Sequence, residues 1–482
     1  MPQIFINGTP VEAEREQSVM EAALANGFYI PYFCWHPELS VAGNCRICCV
    51  QVEGRSWVEI ACNMPVSEGL RVLTDSEPVK EYRKSIMQLM TLNHPVDCGI
   101  CDKAGECKLQ DYHYEYNGAP SVSRDAKVRA TKHHALSERI VLDNERCILC
   151  SRCVRFTREI SKSDGLGIQH RGDHSLVRAV EDGAFDRDPY SDNVIDICPV
   201  GALLSVPFLH KARVWYLEPT ASICPGCERG CSVQIWHRKS EWRLNRLDAA
   251  ANARIDRVTP RENPAVNGPW ICNKGRDLAA VFERPRATAA MIRGAAVRLE
   301  AAVEQAGALI AAARHPAALV SSWGSNEELA AFHAAFGARF ACHVKTDHVA
   351  APGERLEDEL LIKPDKNPNR RAATALYPPL PAVPGAAFPT GCDLVLVWGE
   401  GCDFDALPPG ARIVHLDAWR HPAEARADVF LPISVQTERS GHYTNFAGVV
   451  SRFEACFDKP ATVAHAEALF AALAVPARVE AS

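Results

Sequence analysis

Nowhere does the chain offer the roughly 18 consecutive apolar residues that a membrane-spanning helix needs, so direct membrane insertion is not expected. Its first residues, Met1-Pro-Gln-Ile-Phe-Ile-Asn-Gly8, lack a basic segment followed by an apolar core; no signal peptide is read there, and a cytoplasmic location is expected. A net charge of −6 gives no electrostatic footing for nucleic acid, which normally leaves a concentrated basic patch. There is no P-loop and no nucleophile–base set, so no catalytic residue is assigned. Cysteine itself is scarce in the last part of the chain, from about residue 284.

Before that point it is plentiful. Of the 20 cysteines, fifteen fall with one histidine into four successive groups ahead of residue 273. A disulfide scaffold expects a short secreted chain with spaced pairs. Here a chain of 482 residues, long enough for several domains, carries clustered CxxC units, which read as thiolate metal ligands.

The first group is Cys34, Cys45, Cys48 and Cys62. Ahead of it, alternating Ile4 and Ile6 with an Asn7-Gly8 turn predict a hairpin, and a helix is expected over Ser18 to Ala25. Three ligands on one loop and a fourth from a later strand resemble a plant-type ferredoxin holding [2Fe–2S], with a longer first gap. Cys49 adjoins Cys48; the CxxC step assigns Cys48 as ligand and leaves Cys49 a small buried hydrophobe. The second group is His94, Cys98, Cys101 and Cys107. A cubane needs four ligands, and the imidazole supplies the one the cysteines lack. A neutral ligand makes the site less negative and favours the reduced cluster.

Cys147, Cys150, Cys153 and the remote Cys198-Pro199 form the third group, the CxxCxxC…CP spacing of bacterial-type [4Fe–4S] ferredoxins. Pro199 keeps Cys198 extended, and Val200 to Leu203 are expected to begin a helix whose positive end faces the cluster. The fourth group, Cys224, Cys227, Cys231 and Cys272, is CxxCxxxC with a distant last cysteine beyond a loop from Pro260 to Pro269, and again suits [4Fe–4S]. Zinc is the competing occupant for the first, second and fourth groups, although no single zinc pattern fits the whole set.

The order of these groups resembles the family of the largest iron–sulfur subunit of respiratory complex I, the NADH–quinone oxidoreductase. The segments His94-Pro-Val-Asp-Cys-Gly-Ile-Cys-Asp-Lys-Ala-Gly-Glu-Cys-Lys-Leu-Gln-Asp111 and Cys147-Ile-Leu-Cys-Ser-Arg-Cys-Val-Arg-Phe156 carry the likeness, which covers residues 1–283. It implies a multidomain α+β chain. A plant-type ferredoxin (β-grasp) domain would occupy 1–78 and a helical segment with one His and three Cys ligands 79–135. A ferredoxin-like [4Fe–4S] domain would follow over 136–215, then a CxxCxxxC [4Fe–4S] subdomain over 216–283. Residues 284–482 resemble a shortened α/β molybdopterin-oxidoreductase-like domain, most closely at Ala427 to Pro432 and Glu438 to Asn445.

By the same resemblance an FMN- and NADH-binding flavoprotein and other peripheral-arm subunits are the partners. Electrons pass from FMN through this chain's [2Fe–2S], His-ligated and third-group clusters toward quinone, at the cytoplasmic face of the inner membrane. The alternative is the diaphorase-type relay of a soluble NAD-linked hydrogenase, formate dehydrogenase or bifurcating complex.

Within 284–482, a helical pattern over Ala295 to Ala313, an apolar run at Ala317 to Val320, a helix after Ser325, and strands at Asp393–Trp398 and Arg412–Asp417 predict a doubly wound α/β domain. The Pro-rich stretch from Lys363 to Pro389 reads as a scar of missing sequence. Gly399-Glu-Gly401 follows a strand, but Phe404 stands where a third glycine belongs; no nucleotide and no molybdopterin are expected. Cys342, Cys392, Cys402 and Cys456 show no ligand spacing.

Overall fold

The protein is described here by a computed structural model covering residues 1–183, 185–242, 254–421 and 426–474; the parts of the expected fourth and fifth segments at 243–253, 422–425 and 475–482 lie outside these. The chain divides into two compact units, Met1–Tyr216 and Leu217–Ser482.

The first unit opens with β1 (Gln3–Ile6) and β2 (Thr9–Glu12), paired antiparallel across Asn7 and Gly8. Both turn residues have positive φ, 50° and 81°, which the Asn-Gly pair tolerates and a branched residue would not. Helix α1 (Val19–Ala25) follows; the Ser18 hydroxyl and the Glu21 carboxylate cap it reciprocally. With β3 (Cys49–Val52), β4 (Val58–Ile60) and β5 (Arg71–Leu73) the strands form a five-stranded mixed sheet, order β2-β1-β5-β3-β4. Ile4, Ile6, Val50 and Val72 point from the sheet onto Val19, Met20, Ala22 and Ala23 of α1, making the core.

Helix α2 (Glu77–Leu92) buries Val79, Arg83 and Met87 and leads to His94. After α3 (Lys108–Tyr112), a three-stranded sheet of β6 (His134–Ala135), β7 (Ile140–Leu142) and β10 (Leu203–Ser205) runs in the order β10-β7-β6. Helices α4 (Arg152–Glu159) and α5 (Asn193–Ile197) and the hairpin of β8 (Leu166–Gln169) and β9 (Leu176–Ala179) lie between β7 and β10 in the chain. The helix expected from Val200 does not form. Instead Leu203 pairs with Leu142 as β10 begins, because the edge of β7 is open and Val200, Ala202 and Leu203 are buried.

The second unit begins with an antiparallel sheet, β11 (Leu217–Ile223), β12 (Ser232–Arg238) and β13 (Ile255–Pro260). A seven-stranded sheet follows, ordered β15-β14-β20-β19-β18-β16-β17. Its parallel part is β16 (Pro316–Val320), β17 (Ala341–Val344), β18 (Leu394–Trp398), β19 (Arg412–Asp417) and β20 (Val429–Pro432). Every residue of β16, β18 and β20 is buried, as parallel strands covered on both faces require.

One expectation is corrected here. Ala295 to Ala313 is not one helix: Ala295–Val297 form β15, folded back on β14 (Ala290–Ile292) by the left-handed pair Arg293-Gly294, and the helix starts at Leu299. The segment from Lys363 to Pro389 is an ordered crossover from β17 to β18. It contains the helix Arg370–Leu376, and its buried Asn367 Oδ1 accepts hydrogen bonds from Ser322 Oγ (2.9 Å) and from the Asp347 and His348 amides (3.0 Å each).

Candidate iron–sulfur sites

The first four cysteines meet under the sheet, each almost wholly buried. Cys34 and Cys45 share one hydrogen bond between their sulfurs and Cys48 and Cys62 another. Cys34 is held as the thiolate near pKa 5, chiefly by the Cys45 hydrogen bond; Cys45 is pushed up for the same reason. Cys48 is likewise lowered by Cys62 and Cys62 raised. Cys49 turns the other way. Its Sγ donates to the Val79 carbonyl on α2 at 3.8 Å, Arg83 Nη2 donates to its carbonyl at 3.0 Å, and burial lifts its thiol to about 11.

In the second group Cys101 and Cys107 are buried and Cys98 is exposed. Burial lifts Cys107 to about 11, with Cys101 adding repulsion, and Cys101 in turn feels Cys98. His94 is half-buried, and desolvation draws its imidazole down to about 4, so it is neutral. Arg146 acts on both His94 and Cys101 and donates to Asp97 at 3.0 Å. Cys98 thus acts on Cys101 and Cys101 on Cys107, and His94 lies beside the same Arg146–Asp97 pair.

The third group encloses a cavity. Cys147, Cys150, Cys153 and Cys198 line a small cavity with Leu142, Ile148, Val177, Val200, Ala202 and Leu203 as apolar walls. Burial raises Cys147 to about 12 and Cys150 to about 11, and each is further raised by its neighbours. The fourth group gathers at the end of the β11–β12 hairpin, where the Cys224 amide donates to the Cys231 carbonyl at 2.8 Å and Cys272 closes from beyond β13. Burial raises Cys224, Cys231 and Cys272, and the four act on one another. Dry pockets of mutually repelling thiols suit a cationic iron core, which deprotonates coordinating thiols outright. Amides already point at several sulfurs: Leu149 N–H to Cys147 at 3.4 Å, Gly226 N–H to Cys224 at 3.4 Å and Cys34 N–H to Cys45 at 3.5 Å.

The third group abuts the first: Asn44 Nδ2 donates to the Leu149 carbonyl at 3.2 Å, and Arg155 donates to the carbonyls of both Cys34 and Cys150. It also abuts the second, because a Cβ on Gly201 would stand 2.2 Å from Cys101 Sγ, and the Lys108 amide donates to the Pro199 carbonyl at 3.1 Å. The first-group loop also touches the helix that follows Cys107, the Tyr32 amide donating to Tyr112 Oη at 3.2 Å and Phe33 packing on Tyr112, so all three groups are neighbours. Gly201, Arg152, Arg155 and Asn44 carry no ligand signature in the sequence; Arg152 inside the CxxCxxC triple and Arg155 just after it are the available signal.

Elsewhere, Gly399 and Gly401 both adopt φ 81°, and a Cβ there would meet Asp347 Oδ1 at 2.6 Å and the Asp347 carbonyl at 2.5 Å, so both positions need glycine. Cys342 and Cys392 donate to the carbonyls of Phe340 (3.4 Å) and Leu394 (3.5 Å).

Four family models match in succession: the 2Fe-2S iron-sulfur cluster binding domain over residues 2–77, the NADH-ubiquinone oxidoreductase-G iron-sulfur binding region over 83–119, the NADH-quinone oxidoreductase subunit 3 ferredoxin-like domain over 137–204, and the molybdopterin oxidoreductase Fe4S4 domain over 217–283. Among curated proteins, the G subunit of NADH-quinone oxidoreductase from Rickettsia typhi is 37% identical over 276 residues, 57% of this chain and 39% of that one. The mitochondrial NADH dehydrogenase (ubiquinone) iron-sulfur protein 1 of Solanum tuberosum is 36% identical over 299 residues, 62% of this chain and 38% of that one. A solved structure of an NAD+-reducing [NiFe]-hydrogenase in the H2-reduced state aligns with 30% identity and a TM-score of 0.40, covering 44% of this chain and 91% of that one. The chain spans about two fifths of the length of the curated relatives it matches. Over its iron–sulfur region, residues 2–283, the chain is thus similar to the large iron–sulfur subunits of NADH–quinone oxidoreductases.

Proposed function

We propose that the chain is the iron–sulfur relay subunit of an NADH–quinone oxidoreductase of the complex I type, taking electrons from an FMN- and NADH-binding flavoprotein and passing them toward quinone. Cys34, Cys45, Cys48 and Cys62 would hold [2Fe–2S]. Three [4Fe–4S] clusters would sit on His94, Cys98, Cys101 and Cys107; on Cys147, Cys150, Cys153 and Cys198; and on Cys224, Cys227, Cys231 and Cys272. Bound clusters supply one-electron storage, and the chain supplies position and tuning through amide-to-sulfur hydrogen bonds, burial and ligand charge.

The observation that carries this reading is the contiguity of three sites in one unit, the third group touching both others through Arg155, Asn44 and Gly201. It supports a path through the three groups. No bond-making residue is assigned, and partner subunits would hold the chain at the cytoplasmic face of the inner membrane.

The test is anaerobic affinity purification from the native host, from membrane and soluble fractions separately, with metal analysis and identification of what copurifies. A brown, iron-loaded protein recovered from detergent-solubilised membranes with a flavoprotein and quinone-module subunits is expected. Recovery from the soluble fraction with a hydrogenase or formate dehydrogenase would keep the relay and overturn its assignment to complex I. A colourless zinc protein would overturn both.

A further inference from the structure

Helix α4 starts inside the third group, just ahead of Cys153, and Arg152 and Arg155, one turn apart, share a face of it. Both are buried, at 5% and 8% exposure. Arg155 donates to the carbonyls of Cys34 and Ser40 on the first-group loop, to the Cys150 carbonyl (3.4 Å) on the third-group loop, and through Nε to Ser151 Oγ (3.2 Å). Arg152 donates to the carbonyl of Trp35 on the first-group loop and to that of Ile197 (3.0 Å), the residue before Cys198. The helix's Glu159 accepts from the Ser40 amide at 2.8 Å and from its hydroxyl at 2.5 Å, completing the stitch.

The acceptors reached by the two guanidiniums are backbone carbonyls and one hydroxyl. Glu159 acts on Arg155 only at longer range, and less strongly than Cys34 and Cys150 do. A buried cation without a carboxylate is costly unless something anionic lies close. With iron bound, the coordinating thiolates of the groups on either side would be the anionic neighbours.

We propose that Arg152 and Arg155 are a shared cationic clamp between the first and third groups, a positioning pair that fixes the two loops against each other and makes both groups easier to reduce. This rests on the iron–sulfur reading above. When one electron leaves the first group and enters the third, no bond changes and no proton moves. The charge summed over the two groups stays constant, so a cation shared between them has little to reorganise. A planar guanidinium suits the task because its several donors reach carbonyls on both loops at once, whereas an ammonium keeps the charge at one point.

The test is a redox titration followed by electron paramagnetic resonance on the full-length, cluster-loaded protein and its R155Q and R155K variants. Signals are first assigned with C45S and C153S. A unit charge about 10 Å away at an effective dielectric of about 20 shifts a reduction equilibrium by on the order of tenfold, about 59 mV for one electron. R155Q should therefore lower the midpoint potentials of the first- and third-group clusters together by about that amount. R155K should restore most of the loss at both. Unshifted potentials, a shift at one cluster only, or an R155K shift as large as that of R155Q would overturn the clamp. Should R155Q lose its clusters, R152Q takes its place under the same criteria. Absence of iron from the unsubstituted protein would instead remove the iron–sulfur reading itself.

Discussion

Gly201 is where the third-group loop closes on the second group, and adding one methyl there tests the contact directly. The Cβ of Gly201→Ala would lie 2.2 Å from Cys101 Sγ, 3.3 Å from Lys103 Cβ and 3.7 Å from Arg146 Cδ. Ordinary non-bonded contact begins at about 3.5 Å, so something must move by more than ~1 Å. Neither backbone is free to do so. Arg213 Nη1 holds the Cys101 carbonyl at 2.6 Å, and the Pro199 carbonyl is held by the Lys108 amide at 3.1 Å. The soft coordinate is the Cys101 side-chain torsion, and rotating it carries the sulfur out of the set.

Metal–ligand distances tolerate only about 0.2 Å, so the expected result is loss of one cluster rather than a modest shift, with an overpacking cost of about 1–3 kcal/mol. The assay is iron content and electron paramagnetic resonance of the anaerobically purified variant. G201A should lack the second-group signal and a cubane's share of iron, while the first and fourth groups stay loaded. Gly226→Ala is the internal control. Its Cβ would meet Cys224 Sγ at 3.4 Å, an ordinary contact, and G226A should load fully. A G201A protein with all its iron, or a G226A protein as depleted as G201A, would refute the reasoning.

Three further outcomes are expected. Cys48→Ser should abolish the [2Fe–2S] signal and Cys49→Ser should keep it, because Cys49 Sγ donates to Val79 rather than facing Cys62; visible spectra of the two variants decide, and the reverse pattern would move the ligand. His94→Ala should perturb one [4Fe–4S] cluster only, and an unchanged spectrum would remove His94 from the ligand set. Burial pushes Asp417 up to about 7 and His415 down to about 3, with their side chains 3.6 Å apart. The folded pair thus keeps one proton, on Asp417, between those limits. The unfolded pair also keeps one, on histidine, between 3.8 and 6.5, so the pair adds no pH slope in that window. Asp417→Asn leaves the folded site without that proton while unfolded histidine still binds one. Stability of the variant should then rise by about 3 kcal/mol from pH 4 to 6.5, read from hydrogen exchange of β18 and β19 amides; a flat profile refutes the assignment.

What could be read from the sequence was local. The Asn7-Gly8 hairpin, the Ser18–Glu21 capped helix and the strand Arg412–Asp417 follow from turn, cap and periodicity rules that act within a few residues. The four cysteine sets were legible because thiolate spacing is itself local chemistry. Errors arose where a distant partner decided the outcome. Val200 to Leu203 has helix-compatible residues, yet the free edge of β7 captured Leu203 as a strand. Ala295 to Val297 have high helix propensity, yet a left-handed Arg293-Gly294 turn made them a strand partner for β14.

The same distinction explains why the relay's geometry could not be read along the chain. Ligand sets lie in one order in sequence, but contact between them is made by residues with no cluster chemistry of their own: a glycine whose missing Cβ admits Cys101, and an arginine whose donors fall on two loops at once. Written as letters, Gly201 is a turn residue and Arg155 a surface cation. Only burial without a carboxylate, and a 2.2 Å clash awaiting any added methyl, separate them from those ordinary roles. If the relay runs through the third group, selection on this unit acts on such spacers as strongly as on the thiols. G201A and R155Q would then impair electron flow in different ways, the first by removing a site and the second by leaving every site filled but harder to reduce.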